Sequence, residues 1–221
     1  SNKVLPIVSP RSAIVETLST PASAVVVAPS PDAPASSSEF SLLGLTIGYI
    51  DGVFIEGVCG GRANLRGKTT TQVKDEFLLS MTSASQLSLC HQLQREENPN
   101  VQNASWFISH AWKCEFLQVM DAIVAFFRSR CESEEAVLST VIWFDLFSNS
   151  QHKCEDRPFE WWQGTFTNAI KEMGHVLQVY TPWDNPIPLQ RAWCVFEIYA
   201  CEATNSEFHV TMTPPEKARF M

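Results

Sequence analysis

The strongest constraint on what this chain can fold into is a four-fold alternation between short apolar runs and stretches of helical spacing. "ASWFISH" (104–110) is apolar on both faces, as a strand covered by helices above and below must be. Phe116, Leu117, Met120, Ile123, Val124 and Phe127 then recur at helical intervals. "STVIWFD" (139–145) is the next strand, and a polar loop runs from Leu146 to Pro158. Phe159, Trp162, Phe166, Ile170 and Met173 mark a helix that Gly174 is placed to stop. "HVLQVYT" (175–181) and "EFHVTMT" (207–213) are further strands, separated by the turn "PWDNPIP" and a helix over Leu189 to Cys201. Strand–helix alternation of this kind predicts an α/β fold, a parallel sheet flanked by helices. After 213, "PPEKARFM" shows no convincing final element, so a truncated domain at 101–221 is expected.

The first 100 residues differ in character. Pro, Ser and Ala supply 21 of the first 38 positions, a composition that cannot build a core, so residues 1–40 read as a disordered linker. Residues 41–100 read as an N-terminal extension packed against the sheet domain. In it, two apolar runs joined by Asp51-Gly52 predict a β-hairpin at 41–59. Thr69 to Glu96 has helical spacing with a break around Thr82–Ser85. "GGRANLRGKTT" places five residues between Gly61 and Gly67 where a phosphate-cradling loop needs four, and reads as a surface loop.

A net charge of −8 argues against nucleic acid as a partner, because that affinity comes from Lys and Arg on phosphates. No apolar run approaches the roughly 20 residues of a membrane span, so no membrane partner is expected. Seven cysteines, an odd number without a CxxC pair, read as reduced thiols of an intracellular, cytoplasmic protein. His152-Lys153-Cys154 offers two close ligands and no second pair, so no metal and no cofactor is expected.

Ligands of open α/β sheets bind outside the carboxyl ends of the strands. Those ends carry Ser109, His110 and Trp112, then Asp145, then Trp183. The helix that follows starts near the same rim and carries "RAWCVFE", with Glu197 four residues after Trp193. Helical spacing places Glu197 on the flank of a stripe of Leu189, Ala192, Trp193, Phe196 and Ala200, neither fully solvated nor fully buried. Apolar neighbours would raise its pKa and the helix start would lower it. His110 reads equally as a ligand contact or an orienting group, Asp145 as a steering or loop-fixing carboxylate, and Trp193 as packing or contact. Cys194 has no base to activate it.

"SWFISHAWK", "VIWFD" and "RAWCVFE" together resemble the first strand, second strand and Trp-Cys-x-x-Glu helix of Toll/interleukin-1 receptor (TIR) domains. The combination is most similar to the TIR-like domains of fungal, algal and oomycete repeat-containing proteins, and it covers roughly residues 104–213. The resemblance implies a flavodoxin-like sheet and one of two functions. The first is cleavage of the nicotinamide–ribose bond of NAD, as substrate, with Glu197 catalytic. The second is a non-catalytic signalling module that works by homotypic TIR–TIR association, as in innate immunity. In the first, Ser109, His110, Trp112, Asp145, Trp183 and Trp193 are the substrate-binding candidates. The loop Leu146–Pro158 lacks the glycine usual in the family, so family partner contacts do not carry over to it.

Overall fold

The computed structural model describes residues 41–152 and 159–221. The expected linker at 1–40, the second half of the polar loop and Cys154 lie outside the described residues.

The described residues build a mixed six-stranded sheet in the order β2-β1-β4-β3-β5-β6. Strands β3 (Trp106–Ser109), β4 (Val141–Phe144), β5 (His175–Val179) and β6 (Glu207–Thr211) are mutually parallel. The N-terminal pair, β1 (Leu43–Thr46) and β2 (Val101–Asn103), extends the same sheet, with β1 antiparallel to both β2 and β4. The sheet is therefore mixed rather than parallel, and residues 41–100 are part of the domain rather than an appendage. Gly44 permits this junction: any Cβ there would collide with the backbone carbonyl of Ile142 on β4.

The expected hairpin at 41–59 is not formed. After β1 the chain winds into helix α1 (Tyr49–Val58), a π-helix. The reason is visible in the residues: "YIDGV" is followed by "FIEGV", an aromatic-Ile-acid-Gly-Val unit repeated every five residues. The i→i+5 winding of a π-helix stacks such a repeat. Tyr49, Ile50, Phe54 and Ile55 are accordingly buried on one face, and the Cys59 N–H reaches the Phe54 carbonyl at 2.9 Å. Burial of those four side chains outweighs the turn preference of Asp-Gly.

Helix α2 covers 70–82, with a π-wound stretch at Lys74–Leu78, and α3 covers Leu89–Arg95. The break between them falls where the spacing placed it. Thr69 starts α2 with a capping box to Gln72, and Ser88 caps α3. Helix α4 is Phe116–Arg128, α5 Glu134–Ser139, α6 Phe159–Met173, α7 Ala192–Ala203 and α8 Pro214–Phe220. Gly174 ends α6 with φ of 76°. Helix α8 corrects the expectation that 214–221 carries no element: Thr213 caps it through the Glu216 N–H, and prolines occupy its first turn, where no N–H is needed.

Strand alternation splits the core in two. Ile108, Phe144, Leu177 and Val179 face one cluster with α4 and the N-terminal segment. Phe107, Trp143 and Val176 face a second cluster with Ala169 and Ile170 of α6 and Ala200 and Cys201 of α7. Phe107 and Trp143 stack at 4.7 Å across β3 and β4. The same period of two turns Ser109 and Gln178 toward α7, and this places the site. Among the described residues, no helix is long and apolar enough to cross a membrane.

Candidate functional site

A cleft of about 260 Å³ opens at the carboxyl ends of β3 and β4, beside the first turns of α7. Trp112, Trp162, Phe166 and Trp193 form its aromatic walls, and His110, Asp145, Arg191 and Glu197 supply its charge and hydrogen bonding. Trp162, Phe166 and Trp193 run ring to ring at 5.7 and 5.8 Å.

Glu197 is 8% exposed, a correction to the half-buried position expected from helical spacing. The buried face of α7 is Cys194, Glu197, Ala200 and Cys201, whereas Leu189, Ala192, Val195 and Tyr199 face outward. Of the expected stripe, Ala200 is buried, Phe196 packs on the core and Trp193 is half-buried, whereas Leu189 and Ala192 are exposed, so the covered face is turned toward Cys194, Glu197 and Cys201. Two apolar stripes compete on this helix, and only the sheet decides which is covered. Burial pushes the Glu197 carboxyl up to about 8, against the hydrogen bond donated by Ser109, repulsion from Asp145 adding and attraction to Arg191 subtracting. Gln178, fully buried on β5, donates its amide N–H to the Ser109 hydroxyl at 2.8 Å and to the Cys194 carbonyl at 3.1 Å. A relay Gln178→Ser109→Glu197 therefore fixes the acid against the strand ends.

His110 and Asp145 form the other polar corner. Asp145 Oδ2 accepts the Trp112 indole N–H at 2.6 Å, while Oδ1 has no hydrogen-bond partner among the described residues. Neither ring nitrogen of His110 has one either. His110 Nδ1 lies 3.7 Å from Asp145 Oδ1, close enough for an ion pair but too far for a hydrogen bond. Burial, with Arg191 nearby, holds the imidazole down to about 3, so the ring is neutral and the contact is not a salt bridge. Burial pushes Asp145 up to about 6, with the Trp112 hydrogen bond, the Leu146 N–H and Arg191 opposing. Arg191 Nη1 donates to the His110 carbonyl at 3.3 Å.

The strand-end loops are braced by the N-terminal segment. The Thr71 N–H and hydroxyl both donate to the Trp112 carbonyl, and the Thr70 N–H donates to that of Cys114. Beyond β4, the Ser150 hydroxyl reaches the Gln86 carbonyl, and His152 Nε2 lies 2.8 Å from Thr82 Oγ1. Residues 41–100 thus hold the loop that carries Trp112 and the segment that follows the helical turn at Asp145–Ser148.

Of the seven candidates, Glu197, His110, Trp112, Asp145 and Trp193 line the cleft, and Ser109 lies behind Glu197. Trp183 is not among the lining residues; it packs on Phe220 of α8, and its backbone N–H donates to Glu216. Its strand-end position alone points to the rim, whereas its aromatic partner sits on a helix far along the chain. The Cys194 thiol lines the cleft but burial pushes it up to about 12, which leaves it inert as a nucleophile. Arg191, Asn149, Gln151, Trp162 and Phe166 were not singled out as site residues. Gln178 was missed too, although a lone amide inside "HVLQVYT" was its signal. Among the described residues, no group of three His, Cys, Asp or Glu side chains is placed to hold a metal ion.

Fold and site together define an α/β protein with a buried carboxyl at an aromatic strand-end cleft. Compared with protein-family models, curated proteins and solved structures, the chain matches none.

Proposed function

We propose that this chain is a TIR-like, flavodoxin-like domain that cleaves the nicotinamide–ribose bond of NAD, with Glu197 as the catalytic carboxyl. Counted along the chain, its parallel strands lie in the order second, first, third, fourth, the start of the flavodoxin-type order. The observation that carries the reading is Glu197 at the cleft, buried, bonded to Ser109 and walled by indoles. A cleft of about 260 Å³ suits the nicotinamide–ribose end of a dinucleotide, with the remainder outside.

In this reading the cationic nicotinamide stacks against the aromatic walls and draws Glu197 into its charged form. As the C1′–N bond breaks, nicotinamide leaves with the bonding electron pair and positive charge develops on the ribose. The carboxylate stabilises that charge. Water adds to C1′ and gives a proton to Glu197, whose high pKa suits it as acceptor. Attack by an adenine nitrogen in place of water would give a cyclic product.

A second reading, a non-catalytic module that self-associates, is favoured by one surface. Leu189, Val195 and Tyr199 stand 45, 46 and 64% exposed along one side of α7 and the turn before it. Purified protein incubated with NAD and analysed by chromatography decides between them. Nicotinamide release that disappears in Glu197→Ala, with the circular dichroism spectrum retained, supports the enzyme. No release, even at concentrations where sedimentation shows oligomers, leaves the module. Cytoplasmic signalling belongs to either proposal.

A further inference from the structure

The corner formed by His110 and Asp145 holds three buried polar atoms without hydrogen-bond partners among the described residues: both imidazole nitrogens and Asp145 Oδ1. Both residues line the cleft, with the Asp145 side chain 24% exposed and that of His110 1%. An unpaired buried polar group costs free energy, so the corner favours a ligand that pairs with it. The pattern they present is specific. Ionised Asp145 presents Oδ1 as an acceptor only, and its Oδ2 already accepts the Trp112 indole N–H. A neutral imidazole offers one N–H and one lone pair. With Nδ1 and Oδ1 3.7 Å apart, one planar group carrying a donor beside an acceptor can bridge them. A primary carboxamide is such a group: its NH2 gives to Asp145 and its C=O takes from the imidazole. A carboxylate in the same place brings like charge against Asp145 and has no proton to give.

We propose that His110 and Asp145 form a carboxamide subsite, through which the cleft selects the amide-bearing dinucleotide over its deamidated, nicotinic acid counterpart. The inference rests on the glycohydrolase reading and names what distinguishes its substrate. Trp112 has a defined part: it stacks on His110 at 6.2 Å and fixes Asp145 through its N–H. Arg191, whose charge is felt at both groups, offsets part of the repulsion toward an acid, so the informative quantity is a ratio.

The test compares initial rates of base release from NAD and from deamido-NAD by the full chain. The wild type is expected to prefer the amide by at least about tenfold, because a site built on hydrogen bonds strongly rejects an analogue that leaves them unmade. Asp145→Asn keeps an acceptor for the Trp112 indole but turns an NH2 toward the ligand, and the ratio should fall by about tenfold or invert. A wild type that treats the two alike, or a folded variant with an unchanged ratio, overturns the proposal. If the wild type cleaves neither, the glycohydrolase reading falls and the subsite is tested by calorimetry with free nicotinamide and nicotinate. Wild-type binding of the amide alone, lost in Asp145→Asn, sustains it; equal binding or none overturns it.

Discussion

Glu197→Gln isolates the consequence of burying an acid at this cleft. Burial raises the carboxyl from its ordinary 4.5 to about 8, so the folded protein holds a proton that the unfolded chain releases. The stability contributed by that held proton is complete below about pH 4.5, declines with rising pH and is lost once pH passes through about 8. A difference of this size corresponds to roughly 5 kcal/mol over the full window. Between about pH 5 and about pH 9 the wild type should lose about 4 kcal/mol that the variant keeps. Glutamine retains the shape and an oxygen to accept the Ser109 hydroxyl, so packing is preserved. His110 and Asp145, held to about 3 and about 6, also titrate on unfolding, but both proteins contain them and the difference removes most of their effect. Urea denaturation followed by tryptophan fluorescence at about one-unit pH steps gives the two curves. Parallel curves for wild type and variant would refute the argument, because they would mean that Glu197 ionises in the folded cleft as it does in water.

If the charged carboxyl is the working form, kcat/KM for NAD cleavage should rise tenfold per pH unit below about 8 and level off above it; a profile that falls over that range would assign Glu197 as a proton donor instead. Gln178→Leu removes the N–H groups that hold the Ser109 hydroxyl and the Cys194 carbonyl, at a cost of about 1–3 kcal/mol in stability. The weaker Ser109 donor should also move the midpoint of that profile upward; an unmoved midpoint in a folded variant would confine Gln178 to a packing role.

Much of the fold was legible because its signals are local. The strands at 106–109, 141–144, 175–179 and 207–211 are short runs of apolar or β-branched residues, and α4 and α6 follow their helical spacing. The break after α2 and the glycine stop after α6 were written in polar and Gly residues. Segments that failed had two local answers. Asp51-Gly52 signals a turn, yet the five-residue repeat around it winds a π-helix once Tyr49, Ile50, Phe54 and Ile55 have a core to enter. "PPEKARFM" carries few apolar residues, but a threonine cap and two prolines suffice to start α8.

By itself the sequence determined which residues are strand and helix over most of 104–213, and so that Ser109, His110, Trp112, Asp145 and Glu197 approach one sheet edge. That follows from periodicity, which depends on neighbours a few positions away. Only the tertiary structure decided which side of α7 is covered, and therefore that Glu197 is buried on Ser109 while Tyr199 faces outward. It alone added the antiparallel strands, moved Trp183 from the cleft to α8, and left both His110 ring nitrogens and Asp145 Oδ1 without hydrogen-bond partners among the described residues. Those outcomes depend on desolvation and on contacts between segments far apart in the chain, which no local pattern of side chains encodes.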